Sequence, residues 1–272
     1  MTPIIMTADD YAQSAEIDHG ILALIAMGRL TATSCLVLSP RWPQAAQQLT
    51  SQIRQSADIG LHLDFTQFTH ELAHSLGALI VKSTFRMLPN AKVKRVIQRQ
   101  LDIFEDALGT PPDYVDGHQH VHQLPQIRDA LMDELTRRYG SHGPWIRIAR
   151  PPLSDGFKGM VIKALGAASI EQLAVDKNLL NTKTLMGVYG FNLTADLYRQ
   201  HLANWMGMAK SLPGPIALMC HPACGVSTTD PLDDPIFAAR RTEYEVLASA
   251  QFSALLDQAR VSLVRGNHFK SA

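Results

Sequence analysis

Eight short apolar runs rich in β-branched residues, each closed by turn residues and separated from the next by a helical pattern, constrain this chain more than any other feature. The runs are Pro3 to Thr7, Thr33 to Leu38, Asp58 to Leu63, Tyr114 to Asp116, Trp145 to Ala149, Thr184 to Gly187, Ile216 to Cys220 and Val261 to Val264. Strands that alternate with helices pair in parallel, because the intervening helix returns the chain to the same end of the sheet. Eight such units in 272 residues match the size of a (β/α)₈ barrel. An open doubly wound sheet is the alternative, but it usually carries a glycine-rich phosphate turn after its first strand. Here the first strand runs into Thr7-Ala-Asp-Asp-Tyr11, and neither GxGxxG nor GxxxxGK occurs. The sixth strand is weakly marked and Ser154 to Asn181 reads as irregular helix. The expected architecture is therefore an α/β barrel of seven or eight parallel strands, distorted, forming a single domain over residues 1–272.

Three helices are clearly punctuated. Ala91 to Leu108 places Val93, Val96, Ile97, Leu101, Phe104 and Leu108 at helical spacing and stops at Gly109-Thr-Pro-Pro. Leu124 to Tyr139 has Pro125 near its first position, Ile127, Leu131 and Leu135 on one face, and Gly140 at its end. Thr194 is the expected N-cap of Ala195 to Ala209, with Leu197, Leu202, Trp205 and Met206 as the buried stripe.

Composition narrows the partners. With 46% hydrophobic and 18% charged residues the chain can bury a full core, and 25 Lys+Arg balance 25 Asp+Glu. A chain without basic excess lacks the electrostatic footprint of a nucleic-acid or anionic-lipid binder, so neither partner is expected. The longest apolar run, Ile21 to Met27, falls far short of the roughly 20 residues of a spanning helix. Met1-Thr-Pro lacks the basic start of a secretion signal, so no membrane insertion and a cytoplasmic location are expected. Three scattered cysteines, Cys35, Cys220 and Cys224, fit reduced thiols better than a disulfide framework.

Ionisable side chains gather at the carboxyl ends of the expected strands, the face on which such barrels build active sites. Asp9 and Asp10 follow the first strand, His62 and Asp64 close the third, Asp116 and His118 the fourth, and His221 follows the seventh. Two adjacent buried carboxylates repel unless a cation compensates, so the Asp pair suits one ligand and one base. Otherwise one of them caps the helix that begins near Ser14. His62, in Gly60-Leu-His-Leu-Asp-Phe-Thr66, is a ligand candidate or a hydrogen-bonded core histidine.

Asp116-Gly-His118-Gln-His120-Val-His122 is more specific, because four ionisable groups at every second position share one side of an extended segment. Imidazole is the commonest metal ligand, and a nearby carboxylate can orient its ring. The bland reading is a solvated polar loop. His221, in Met219-Cys-His-Pro-Ala-Cys224, is placed to donate a proton to a leaving group; a zinc knot of Cys220, His221 and Cys224 lacks a second ligand pair of the usual spacing. Arg147 and Arg150 end the fifth strand and could contact a polar substrate or neutralise Asp9; Tyr189 has the same standing. Lys92, Lys94, Arg95 and Arg99 read as a solvated helix face.

Thr7-Ala-Asp-Asp-Tyr11, Gly60-Leu-His-Leu-Asp-Phe-Thr66, Asp116-Gly-His-Gln-His-Val-His122 and Cys220-His-Pro-Ala223 together resemble the sequential signatures of the YdjC-like carbohydrate deacetylases. That family includes chitooligosaccharide deacetylases and deacetylases of hopanoid biosynthesis, and resembles the polysaccharide deacetylases in fold. The resemblance implies a divalent metal on Asp10, His62 and His118, with Asp9 as base and protonated His221 as acid. It further implies hydrolysis of an N-acetyl group on an amino sugar and a homodimer. Arg147, Tyr189, His120 and His122 are then the candidates for substrate binding. Two imidazoles and a carboxylate suit zinc, cobalt, nickel or manganese, with magnesium less expected. Tyr11-Ala12 stands where family members commonly have Phe-Gly, and Asp64-Phe65 where others tend to be apolar or uncharged, which bears on substrate preference. The rival expectations are a metal-dependent phosphoesterase or amidohydrolase on a similar barrel, or a non-catalytic sugar-binding relative.

Overall fold

The computed structural model describes residues 1–225 and 234–270, and every one of the eight expected runs contains a strand. These are β1 (Thr2–Tyr11), β2 (Ala32–Cys35), β3 (Asp58–Leu63), β4 (Tyr114–Gly117), β5 (Trp145–Ile146), β6 (Thr184–Met186), β7 (Ile216–Cys220) and β8 (Val261–Leu263). The helices are α1 (Ala15–Ala26), α2 (Trp42–Gln48), α3 (Ser51–Ser56), α4 (Leu76–Thr84), α5 (Asn90–Leu108), α6 (Ile127–Tyr139), α7 (Gly156–Ala164), α8 (Ala167–Asp176), α9 (Ala195–Met208), α10 (Phe237–Ala248) and α11 (Ala250–Ala259).

All strand pairs are parallel, in the order β5-β4-β3-β2-β1-β7-β6, with β8 attached to β1. The barrel therefore has seven strands in its wall, and β8 does not close a gap between β7 and β1. The reason is length. β1 has ten residues, whereas β2 and β8 have four and three, so one edge of β1 seats both end to end. The carbonyls of Ile4 and Met6, two residues apart and hence on the same edge, accept from Val264 at 2.9 Å and Thr31 at 3.0 Å. The far edges, β5 and β6, are joined by the segment before β6: Ile146 donates to Leu180 O at 2.9 Å and Thr182 donates to Ile146 O at 3.0 Å. The result is a curled, nearly closed barrel.

The helices follow from the expected patterns with local corrections. α5 buries Val93, Val96, Ile97, Leu101 and Phe104 and stops at Gly109 in the left-handed region. α6 begins at Ile127 rather than Leu124, because Gln126 takes a positive φ of 61° that helical backbone cannot continue. In α9 the Thr194 hydroxyl accepts from Leu197 N, as expected of the cap, but Leu197 itself is 45% exposed and Tyr198 fills the buried face. Residues 154–181 resolve into α7 and α8, broken at Gly166, where any Cβ would meet Gln123 O at 2.2 Å. Among the described residues no helix is long and apolar enough to cross a membrane.

Candidate metal centre and active site

Successive strand residues face opposite sides, so Asp9 and Asp10 could not both enter one site from a regular β1. The pairing of β1 with β2 shifts register between Ala8 and Tyr11, and Asp10 has a φ of 70°. This bulge turns both carboxylates to the carboxyl end of the barrel. The cap of α1 is instead Ser14, whose hydroxyl accepts from Ile17 N.

His62 and Asp116 are direct partners in the β3–β4 register, and His62 Nδ1 lies 2.6 Å from Asp116 Oδ1 and 3.1 Å from Ser34 Oγ. With Nδ1 held there, Nε2 faces Asp10 Oδ1 at 3.3 Å. Burial alone would lower the His62 pKa, but Asp116, Asp10 and Asp9 together outweigh it and hold it at about 10. Positive charge is stabilised at this spot. His118 Nδ1 approaches the same Asp10 oxygen at 3.0 Å, and the other oxygen, Oδ2, accepts from Arg240 Nη2 at 2.7 Å.

The three histidines after β4 do not share a face as an extended segment would require. Residues His118–Gln123 form a 3₁₀ turn with Gln119 and His120 in the left-handed region, φ 53° and 60°. Gly117 permits the turn: a Cβ there would lie 2.8 Å from His122 N. His118 stays beside Asp10 and His120 lines the cavity mouth. His122 is buried below, its Nε2 donating to Arg147 O at 2.9 Å, and burial lowers its pKa to about 4, so it is neutral. Unlike His118 and His120, His122 does not line the cavity.

Of its two expected roles, Arg147 takes the neutralisation of Asp9. It is 1% exposed; its Nη2 lies 2.7 Å from Asp9 Oδ2 and 2.6 Å from Asp116 Oδ2, and Nη1 donates to Thr7 Oγ1 at 2.9 Å. Its place is that of a buried counter-ion below the site. Arg150 pairs with Glu171. Asp9 Oδ1 is buried with no hydrogen-bond partner, and burial pushes the Asp9 carboxyl upward against the pull of Arg147.

His221 Nε2 lies 3.8 Å from Asp9 Oδ2. Burial drops its pKa to about 3, assisted by Arg240, Arg147 and His62 and opposed by Asp10, so the imidazole is neutral at rest rather than protonated. Tyr189 lines the cavity with its ring, while its hydroxyl donates to Glu243 Oε1 at 2.6 Å. Cys220 Sγ donates to Thr7 O, and all three cysteines are free.

A cavity of about 1220 Å³ opens above these groups. Asp9, Asp10, His62 and His118 line it, and its remaining lining includes aliphatic Leu76 and Ile80 of α4, Val161 of α7 and Leu165 just after it, together with polar Gln67, Gln119 and Lys158 and aromatic Phe68 and Phe191. A second cavity, of about 500 Å³, lies where the strands begin, around Pro111, Pro112 and Arg265. Arg265 is already held by Asp58 there, and active sites of such barrels form at the opposite face.

The donor atoms of Asp10, His62 and His118 all lie within 4.8 Å of one another, as do those of Asp9, His62 and Asp116. In the second group Arg147 lies against both carboxylates, and His62 Nδ1 is already hydrogen-bonded to Asp116 within the group. The first opens on the cavity through His118, whose side chain is 15% exposed. Two nitrogens and one carboxylate oxygen, with His62 oriented from behind by Asp116, are the donors and support that a divalent metal requires.

The model of the YdjC-like protein family matches residues 3–258. The chain belongs to the YdjC-like family. It is 30% identical over 171 residues to a carbohydrate deacetylase of Homo sapiens, covering 57% of this chain and 50% of that protein, and 30% identical over 168 residues to one of Mus musculus, covering 56% and 51%. The chain thus spans about half the length of the curated relatives it matches. Among solved structures it resembles a protein of Enterococcus faecalis V583 assigned to cellobiose-phosphate cleavage, at a TM-score of 0.75 and 17% identity over 98% of both chains. A peptidoglycan N-acetylglucosamine deacetylase superimposes with a TM-score of 0.51 at 11% identity, over 97% of this chain and 86% of that one. Both likenesses establish the polysaccharide-deacetylase type of barrel.

Sequence reasoning missed Arg240 and Glu243, which stand in Arg240-Arg-Thr-Glu243-Tyr-Glu. The available signal was periodicity. Both occupy the stripe of α10 that also carries Ala239, Val246 and Leu247, so they are polar residues at core positions.

Proposed function

We propose that this chain hydrolyses the acetamide of an N-acetylated amino sugar, with a divalent metal held by Asp10, His62 and His118. The observation that carries the reading is the buried, unpartnered Oδ1 of Asp9 beside that donor set. A carboxylate oxygen kept free next to a cation site is of use to a hydrolase that must deprotonate water, and of none to a sugar binder. The carbohydrate deacetylases among its relatives support the same chemistry.

A bound divalent ion supplies Lewis-acid polarisation of the acetyl carbonyl and of a water molecule. Asp9 Oδ1 takes the proton of the attacking water, and Arg147 on the other oxygen holds the carboxylate in place. His221, neutral at rest and with its Nε2 3.8 Å from the other Asp9 oxygen, Oδ2, relays the proton from Asp9 to the departing nitrogen. The C–N bond breaks, and acetic acid, which ionises to acetate in solution, and the free amine leave with Asp9 and His221 restored. His120 and the Tyr189 ring face the sugar from the cavity wall. The donor set favours zinc, cobalt, nickel or manganese over magnesium.

The test is acetate release by purified protein from N-acetylated mono-, di- and lipid-linked sugars, with each divalent ion and with chelator. Metal-dependent acetate release is expected. Phosphate release from a phosphoester without acetate release, or sugar binding without product, overturns the reading.

A further inference from the structure

His221 sits one residue beyond β7 and is followed by Pro222, where the parallel ladders have run out: β7 pairs with β1 up to Ala8–Cys220 and with β6 up to Met186–Leu218. Its backbone N–H therefore has no strand acceptor, and a buried donor without a partner is costly. The acceptor is Glu243 Oε2, at 2.5 Å. The other carboxylate oxygen accepts from the Tyr189 hydroxyl at 2.6 Å. Glu243 is fully buried and, among the described residues, makes no direct ion pair; its two hydrogen bonds there go to a proton-transfer residue and to a cavity-wall residue.

The surroundings extend this link. Tyr189 packs on Phe191 with ring centroids 4.8 Å apart, and Phe191 meets the His221 ring edge-on at 5.1 Å. The His221 ring is thus bounded by an aromatic on one side and Asp9 on the other, while its main chain is tied to Glu243. One turn earlier on α10, Arg240 binds Asp10 and its carbonyl accepts from Ala223 N at 3.1 Å. Residues three apart on a helix share a face, so α10 ties both the metal side and the proton-transfer side of the site to one rigid element.

We infer that Glu243 is a positioning residue that, through the His221 main chain and the Tyr189 hydroxyl, fixes the imidazole at its distance from Asp9. The inference rests on the deacetylase reading for its kinetic consequence and on geometry alone for its structural one. Gln at 243 can keep both contacts, its oxygen accepting from His221 N–H and its amide donating to the Tyr189 oxygen, whereas Leu can keep neither.

The experiment compares Glu243→Leu, Glu243→Gln and Tyr189→Phe with the wild-type enzyme loaded with its metal. In Glu243→Leu kcat should fall about 10²-fold, the scale of a misplacement near 1 Å, with KM and metal content unchanged. Glu243→Gln should restore kcat to within a few-fold of wild type. Adding Tyr189→Phe to Glu243→Leu should cause no further loss, because the hydroxyl has already lost its partner. An activity-independent readout is the His221 Cε1–H NMR resonance, identified by its absence from His221→Asn; it should move in Glu243→Leu and stay in Glu243→Gln. Wild-type kcat in Glu243→Leu, an effect confined to KM, or an unmoved resonance overturns the inference. If Glu243→Leu fails to fold, Tyr189→Phe carries the test, since it removes one of the two contacts and should shift the same resonance. Should the wild type release no acetate, the deacetylase reading fails while the resonance still decides the role of Glu243.

Discussion

His62 and Asp116 stand opposite each other on neighbouring parallel strands with Nδ1 2.6 Å from Oδ1, so the sheet rather than a loop aims the imidazole at Asp10. Asp116→Asn weakens that hold and removes one of the two carboxylates facing Arg147. Loss of a carboxylate behind a metal-bound histidine typically lowers affinity about 10–100-fold. Titration calorimetry of the metal-free protein with a divalent ion should show that drop, and unchanged affinity would remove Asp116 from the site.

Asp9 and His118 should fail in opposite ways. Asp9→Asn keeps the donor set, so metal content should stay at the wild-type level while kcat drops by about 10²–10⁴, the range for removing a general base. His118→Ala should instead lose metal, because Asp10 and His62 alone give two donors. Metal analysis beside acetate-release kinetics checks both. A metal-replete His118→Ala protein or an active Asp9→Asn protein contradicts the roles.

The barrel was legible because strand runs and helix stops are local signals: Gly109 after α5 and Thr194 before α9 act within a few residues. The grouping of Asp9, Asp10, His62, His118 and His221 was also legible, since parallel strands send their carboxyl ends to one face. What the pattern could not show is geometry set by distant contacts. The positive φ at Gln119 and His120 converts an alternating histidine run into a turn, so only His118 reaches Asp10. The pairing of Arg147 with Asp9 was among its expected roles, but its further partners in the buried charge network, Thr7 and Asp116, lie more than 30 residues away in sequence. The position of β8 depended on the length of β1, which extends beyond its apolar run into the Asp pair.

Stability should carry the signature of Glu243. Burial raises its pKa from 4.5 to about 7, against the lowering effects of the Tyr189 hydroxyl, the His221 N–H and Arg240, while Asp9 adds to the rise. Tyr198 and Cys220, both buried, also face it. Between those two values the folded state keeps a proton that the unfolded chain has released, so this contribution is complete below about pH 4.5 and is lost as pH rises through 7. Its size is on the order of 3 kcal/mol. Glu243→Gln removes the titration, so the variant's Tm relative to wild type should climb from pH 5 to pH 8 in parallel thermal scans. A constant difference across that range would place the Glu243 pKa near its ordinary value.

The cavity walls make a prediction about what accompanies the amino sugar. On the proposed reading the sugar's acetamide lies on the polar floor by Asp9 and Asp10, and the aliphatic side chains of Leu76, Ile80, Val161 and Leu165 line the same cavity alongside the aromatic rings of Phe68 and Phe191. Phe157 at the rim is 78% exposed, which extends this apolar surface outward. Covering such a wall with methylene groups is favourable by up to about 0.8 kcal/mol each, or roughly three- to fourfold in affinity. Across a series of alkyl glycosides of N-acetylglucosamine, KM should therefore fall with chain length and level off once the chain leaves the cavity, with kcat nearly constant. Val161→Asp should flatten the series and leave the methyl glycoside unaffected. A KM independent of chain length in the wild type, with tighter binding of a second sugar ring instead, would assign these walls to an oligosaccharide.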